Sequence, residues 1–441
     1  MNSRRGTRAA FLWLLYALFL VYATTLPFEF EPDPASAAAV KLARMPLSPF
    51  SGPGGGRASI PDMTQNVLLF MPFGVLGMFA VRPGGRRSRR AGVAAGRTLA
   101  ALMLVTMLGA LVSASVEVLQ LFTTERTSSV NDVMTNTAGA LLGGLAAAVL
   151  AELWSRMSAV YGTVDIPAKA AFRLVAVAAS LLAIAAWHPF DASLDVGGIV
   201  GKVRTFIGDP WQAGAIGDEA VDWLRYAFLG GAAAAWLRGA GVRRPQGAAA
   251  LLTTFTVVAL ELSQTIIGSR MPGLKDMFVG ATGGGAGALL EPFVRKMSPA
   301  LRVVSVTAAS WLATSVMALA PFTLRSAHEP MAWMPFRTYY QYTSGETVSH
   351  VIELAMAFFP IGFVLLRAAG GAGWLGVAGI ALPLAASLEY LQGWMIDRVP
   401  DITDVMVMTL GAILGAWVRA SSLPLNSERG AANLEPGTWN P

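Results

Sequence analysis

The chain has 441 residues, 54% hydrophobic and only 14% charged, which is too little charge to cover a soluble surface of that size. Its formal charge is +6, but the basic residues sit in short connectors between apolar runs and form no single patch with interleaved aromatics, which argues against a nucleic-acid partner. With no cysteine and three histidines, disulfides, thiolate metal sites and cysteine nucleophiles are excluded, and neither a metal nor a cofactor is expected.

Apolar runs close to the ~20 residues that cross a bilayer recur along the whole chain. They lie at 9–26, 64–81, 98–122, 132–153, 171–187, 220–237, 247–267, 275–291, 303–320, 349–366, 373–393 and 403–418. Helices satisfy their own backbone in hydrocarbon, so the pattern predicts an all-α, polytopic transmembrane bundle of about 12 helices. Arg4, Arg5 and Arg8 ahead of the first run resemble a secretory signal. Equivalent runs at 171–187 and 303–320 favour a retained helix instead. Asp222 and Arg225 interrupt the sixth run.

Between the fifth and sixth runs, Val196, Ile199, Val200, Val203 and Phe206 fall at helical spacing, with Lys202 and Arg204 off the stripe. This predicts an amphipathic helix at the membrane interface. Trp333, Phe336, Tyr339, Tyr340 and Tyr342 read as interfacial anchors. The end of the chain, 422–441, is rich in Pro, Asn, Gly and Ser and reads as a disordered cytoplasmic tail.

Orientation follows from the basic residues. With the N-terminus inside, the inner connectors hold 21 of the 33 Lys and Arg, including the Arg82–Arg97 loop. The outer side and outer helix ends hold 22 of the 27 acids. Both termini are therefore expected to be cytoplasmic. The Arg82–Arg97 loop reads as a topology anchor, with an anionic-lipid site as the sharper alternative.

One motif recurs three times without a gap. Glu117, Gln120, Arg126, Asp132, Gly139 and Gly143 form the first copy; Glu261, Gln264, Arg270, Asp276, Gly283 and Gly287 the second; Glu389, Gln392, Arg398, Asp404, Gly411 and Gly415 the third. Each first helix ends in Pro-Phe (Pro27-Phe28, Pro189-Phe190, Pro321-Phe322). Each second helix carries part of one element: Asn66 and Pro72-Phe73-Gly74, then Gly230 alone, then Pro360-Ile361-Gly362. The repeats predict four-helix units at 1–160, 161–298 and 299–421.

Helical period puts Glu117 and Gln120 on one face, and Asp132, Asn136, Gly139 and Gly143 on one stripe. The small-xxx-small pairs Gly139/Gly143, Gly283/Gly287 and Gly411/Gly415 read as close helix contacts. If the stripe packs on the third helix, Asp132 approaches Glu117 and Gln120 beneath Arg126. One reading is a structural clamp, with Arg126 paired to Asp132 and neutralising Glu117. The other is a ligand site: the arginine fork suits phosphate or carboxylate, and Gln120 and Asn136 suit sugar hydroxyls or amides. The first copy has the full set of Asn66, Glu117, Gln120, Arg126, Asp132 and Asn136. Gly280 and Met408 replace Asn136 in the others, so the first unit is expected to hold the best-equipped site.

At these residues the chain resembles the VanZ-like family of bacterial membrane proteins, named for a teicoplanin-resistance protein. The match lies in Pro27-Phe28, Asn66 with Pro72-Phe73-Gly74, Glu117 with Gln120, Arg126, Asp132, Asn136 and Gly139. The pattern is complete in the first unit and eroded in the other two, whereas the family usually has one unit. The resemblance implies a multi-pass protein of the bacterial cytoplasmic membrane, linked to the cell envelope or to glycopeptide resistance. Three functions stand open. The first is binding of an envelope lipid or lipidated glycopeptide at the outer leaflet. The second is a membrane-embedded enzyme acting on a lipid-linked saccharide through Glu117 and Asp132. The third is a lipid or solute transporter, disfavoured because even-numbered units cannot form inverted repeats. Membrane lipids are the expected partners, and the residues specify no oligomeric state.

Overall fold

The computed structural model describes residues 2–45, 60–81, 91–124, 126–160, 169–188, 191, 193, 195–211, 216–339, 344–368, 373–396 and 398–421. The arginines at 82–90, Pro189-Phe190, Tyr340, Tyr342 and the 422–441 tail lie outside these residues.

The chain divides into two compact bodies, Met1–Asp165 and Ile166–Pro441. The first holds α1 (Asn2–Thr25), α2 (Pro34–Arg44), α3 (Ile60–Val81), α4 (Ala91–Gln120) and α5 (Val130–Val160). The second holds α6 (Lys169–Trp187), α7 (Val196–Gly208), α8 (Ile216–Gly239), α9 (Pro245–Ser263), α10 (Leu274–Lys296) and α11 (Pro299–Leu319). It continues with α12 (Ser344–Ala368), α13 (Gly373–Gln392) and α14 (Ile402–Ser421). Each apolar run predicted above falls on one of these helices. Among the described residues, seven helices are long and apolar enough to cross a membrane, and shorter apolar stretches occur at Ala9–Thr25, Ala171–Trp187 and His350–Leu366. This is a polytopic helical membrane bundle.

Two helices are shorter. α7 coincides with the amphipathic stretch and has no buried residue; Val196, Val200, Val203 and Ile207 form its exposed stripe. α2 was not anticipated. It is Ala-rich and only 11 residues long, and its start is defined by Pro34 at the first turn and by Asp33, whose side chain accepts from the Ser36 N–H.

The packing is inside-out relative to a soluble protein. Phe11, Met107, Leu251 and Phe255 are largely exposed, as expected of faces covered by hydrocarbon. The cores are Leu20, Phe70, Phe73, Met78 and Val105 in the first body, with Leu354, Phe358, Ile361, Leu388 and Met408 prominent in the second. Asp222 and Arg225, which interrupt α8, form an ion pair at 2.6 Å.

The glycine stripe packs differently from expectation. A Cβ on Gly139 or Gly143 would collide with the carbonyl oxygens of Val67 or Met71, both on α3 rather than α4. Gly283 and Gly287 of α10 lie likewise on Trp223 and Ala227 of α8, and Gly411 and Gly415 of α14 on Ala355 and Phe359 of α12. The contact is mutual: Gly74, Gly230 and Gly362 press on the carbonyls of Ala140, Gly284 and Ala412. A small-xxx-small stripe specifies a face that admits another backbone, and the glycine on α3, α8 or α12 decides which backbone comes closest.

The loop after each opening helix pairs with the loop after the third. Glu31 N–H donates to Phe122 O (2.9 Å), Ser193 N–H to Ile266 O (2.8 Å), and Arg325 N–H to Trp394 O (2.9 Å). Leu26–Pro27 and Ala320–Pro321 are both cis, and Phe28 and Phe322 both have left-handed φ, 65° and 62°.

Candidate functional site

The motif residues converge where the third helix of each copy turns into the fourth. Glu117 is buried at the end of α4, and its Oε2 accepts from the Ser129 N–H at 2.8 Å, just ahead of α5. Glu261 accepts from the Gly273 N–H (3.2 Å) and Glu389 from the Asp401 N–H (2.9 Å). In every copy the acceptor lies 12 residues before the donor. The glutamate thus supplies an acceptor to backbone donors that a helix start leaves unsatisfied. Glu117→Ala is expected to accelerate exchange of the Ser129 amide hydrogen, whereas Glu117→Gln, which keeps an acceptor oxygen, preserves its protection. Hydrogen-exchange mass spectrometry of the 121–131 peptide checks this, and equal exchange in both variants would refute the clamp.

The arginine reaches the opposite way. Arg126 donates Nε to Leu26 O (3.2 Å) and Arg270 donates Nε to His188 O (2.8 Å). Arg398 donates Nε and Nη2 to Ala320 O, and Nη2 also to Met317 O. Leu26, His188 and Ala320 each stand immediately before the proline that closes the opening helix, and Met317 lies in the last turn of α11. A cation there satisfies carbonyls and complements the helix dipole. Gln120 adds a bond to Thr24 O (3.0 Å) in the first copy, while Gln264 turns to Glu261 Oε1 (3.1 Å). Gln392 is buried beside Glu389 at the end of α13.

A further cation, missed in the sequence, locks the turn after the third helix of each copy. Lys41 of α2 donates to Thr123 O and to Arg126 O (2.9 Å). Lys202 of α7 donates to Ile267 O and to Arg270 O (2.7 Å). Arg325 donates to Met395 O (3.0 Å) and Arg398 O (3.3 Å). The acceptors are the same motif positions in all three copies, but the donors follow the Pro-Phe proline by 14, 13 and 4 residues. No common spacing could have flagged them.

The aspartates differ between copies. Asp132 accepts from Asn66 Nδ2 at 2.8 Å, linking α5 to α3. Asp404 accepts from the Tyr339 hydroxyl and faces His350 Nε2 at 3.3 Å. Asp276 lies in the first turn of α10, and the charges of Asp222, Lys275 and Glu219 act on it. Asp132, Asp276 and Asp404 act electrostatically on Glu117, Glu261 and Glu389 respectively, so each copy draws its two acids together. Asn136 donates Nδ2 to Ser113 Oγ of α4 (2.9 Å), while its Oδ1 is buried without a partner. Tyr339, read as an anchor from sequence, is in fact buried on Asp404, whereas Trp333 is exposed. Asp401, ahead of α14, is held above the usual carboxylate range by burial, against the pull of its Thr403 hydrogen bonds. Among the described residues, no three of His, Asp and Glu are grouped to hold a metal ion.

The chain matches none of the curated proteins and none of the solved structures. The family model described as VanZ/LLP1 matches it twice, over residues 13–151 and 303–421. These two regions contain the first and third motif copies, the two in which a proline and glycine mark the second helix. They make up more than half of the sequence, and the protein belongs to the VanZ/LLP1 family.

Proposed function

We propose that the protein is a receptor for the headgroup of an envelope lipid or lipidated glycopeptide, held by its first unit at the outer leaflet of the bacterial cytoplasmic membrane. In this reading the chain crosses the membrane twelve times as units 1–160, 161–298 and 299–421, with both termini cytoplasmic. The recurrence of the glycine contacts, the glutamate clamp and the arginine cap in all three segments supports that division. The surplus of basic residues in the inner connectors supports the orientation.

One observation carries the binding reading. Asn136 is 4% exposed, yet its Oδ1 has no hydrogen-bond partner. A buried acceptor left unpaired costs about 1–3 kcal/mol, and a ligand hydroxyl or amide would remove that cost. Asp132, one turn before Asn136 on the same stripe, is partly exposed and adds acceptors there, with Asn66 of α3 donating to it. The second and third copies lack this asparagine. Glu117, Gln120 and Arg126 frame the site, because their bonds to Ser129, Thr24 and Leu26 hold the helix ends.

The test is mass spectrometry of lipids retained when the protein is purified from its native membrane. A saccharide- or amide-bearing lipid is expected in the wild type and reduced about tenfold in Asn136→Ala, the equivalent of one good hydrogen bond. Equal retention in a variant that remains folded would refute the reading. Turnover of that lipid in detergent would replace the receptor with the enzyme.

A further inference from the structure

The third motif copy adds an acid, Asp401, at the position held by Ser129 and Gly273 in the other two. Glu389 of α13, Asp401 of the connector and Asp404 of α14 are 0%, 2% and 6% exposed. Asp401 accepts from Thr403 N–H (2.7 Å), Thr403 Oγ (2.6 Å) and the Thr338 hydroxyl. Asp404 meets Tyr339 and His350 as described. Glu389 uses Oε2 on the Asp401 N–H, and its Oε1 is fully enclosed with no hydrogen-bond donor. In the second copy the glutamate's other oxygen accepts from Gln264.

We propose that this cluster is a second binding site, one that takes a primary ammonium group. Glu389 Oε2 is tied to the Asp401 backbone while Oε1 stays unpaired, and the like charges of Asp404 and Asp401 act on it. The nearby cation, Arg398, directs Nε and Nη2 to the Met317 and Ala320 carbonyls. His350 faces Asp404, whereas Glu389 Oε1 has no donor at all; an ammonium brings three N–H groups that can reach more than one of these acids. The surroundings suit such a guest. Tyr339 and His350 have ring centroids 6.0 Å apart, and Phe336 lies 6.1 Å from Tyr339, so aromatic faces border the acids. His350 has a side chain 38% exposed, which leaves an approach to the otherwise buried acids. A quaternary ammonium has no N–H to offer Glu389 Oε1 and is expected to be excluded.

The ammonium could belong to an aminated lipid headgroup or to a soluble amine. None of the residues is shared with the first-unit site, so either site can fail alone. The experiment compares the full-length protein in phosphatidylcholine vesicles, in vesicles also containing phosphatidylethanolamine, and in phosphatidylcholine with soluble phosphoethanolamine. Binding is read as lipid or ligand retained in native mass spectrometry. A preference for the primary amine, weakened about tenfold by Glu389→Gln and by Tyr339→Phe, supports the proposal. Response to the lipid alone assigns the amine to the membrane; response to both arms assigns it to either source. Tyr339→Phe removes one hydroxyl and tests the idea even if Glu389→Gln fails to fold. No preference over phosphatidylcholine in either arm, or a preference unchanged in a folded variant, overturns it and leaves a bound proton as the partner of Glu389.

Discussion

Gly143→Val is expected to abolish folding of the first body. A Cβ at Gly143 would fall on the carbonyl oxygen, carbonyl carbon and Cα of Met71 at once, all backbone atoms that cannot swing aside. Accommodation requires α5 to move away from α3, opening the contact that Gly74 makes with Ala140 on the same seam. The loss should exceed ~4 kcal/mol, the range reserved for changes that break a core contact outright. It would appear as a collapse of the monodisperse peak in detergent size-exclusion chromatography. Gly96→Val is the control, since a Cβ there meets no atom within 4 Å. It should leave the profile intact. A monodisperse Gly143→Val protein with wild-type melting would show that the backbones do not meet at this glycine.

Arg398→Ala should lower stability by about 2–3 kcal/mol, with two backbone carbonyls losing charge-assisted donors. The side chain is only partly buried, so water replaces some of what is lost and the figure sits below the sum for two enclosed bonds. Arg398→Lys should recover less than half, because a single ammonium cannot reproduce the planar fork shared between Met317 and Ala320. Thermal melting in detergent measures the size of the effect. Faster hydrogen exchange at the end of α11 locates it. If melting falls without any change there, the arginine acts elsewhere.

The polar motif was legible because its residues are scarce in an apolar chain and recur at constant spacing. Constant spacing also carried the shared face of Asp132, Asn136, Gly139 and Gly143, since helical period alone fixes it. It could not say that Glu117 would hold a backbone amide. Every non-proline residue has one, so the partner leaves no mark in the sequence. The pairing expected between Arg126 and Asp132 rested on opposite charge. In the fold the Arg126 charge acts on both Asp132 and Glu117, but its Nε also reaches the Leu26 carbonyl and Asp132 takes an amide from Asn66, contacts that charge alone does not announce. Lys41, Lys202 and Arg325 stayed hidden because three loops of different design deliver a cation to the same carbonyls. His350 and Tyr339 looked unremarkable until the chain brought them to Asp404 from 54 and 65 residues away.

Composition and period alone determined that this is a helical membrane protein with a thrice-repeated hairpin, because bilayer thickness and the helical turn act on each segment separately. Which helix receives the glycine seam, which carbonyls the arginines cap and where buried acceptors remain unpaired were decided only in the tertiary structure. Those outcomes depend on backbone atoms common to all residues meeting across long stretches of chain, and no local pattern encodes such a meeting.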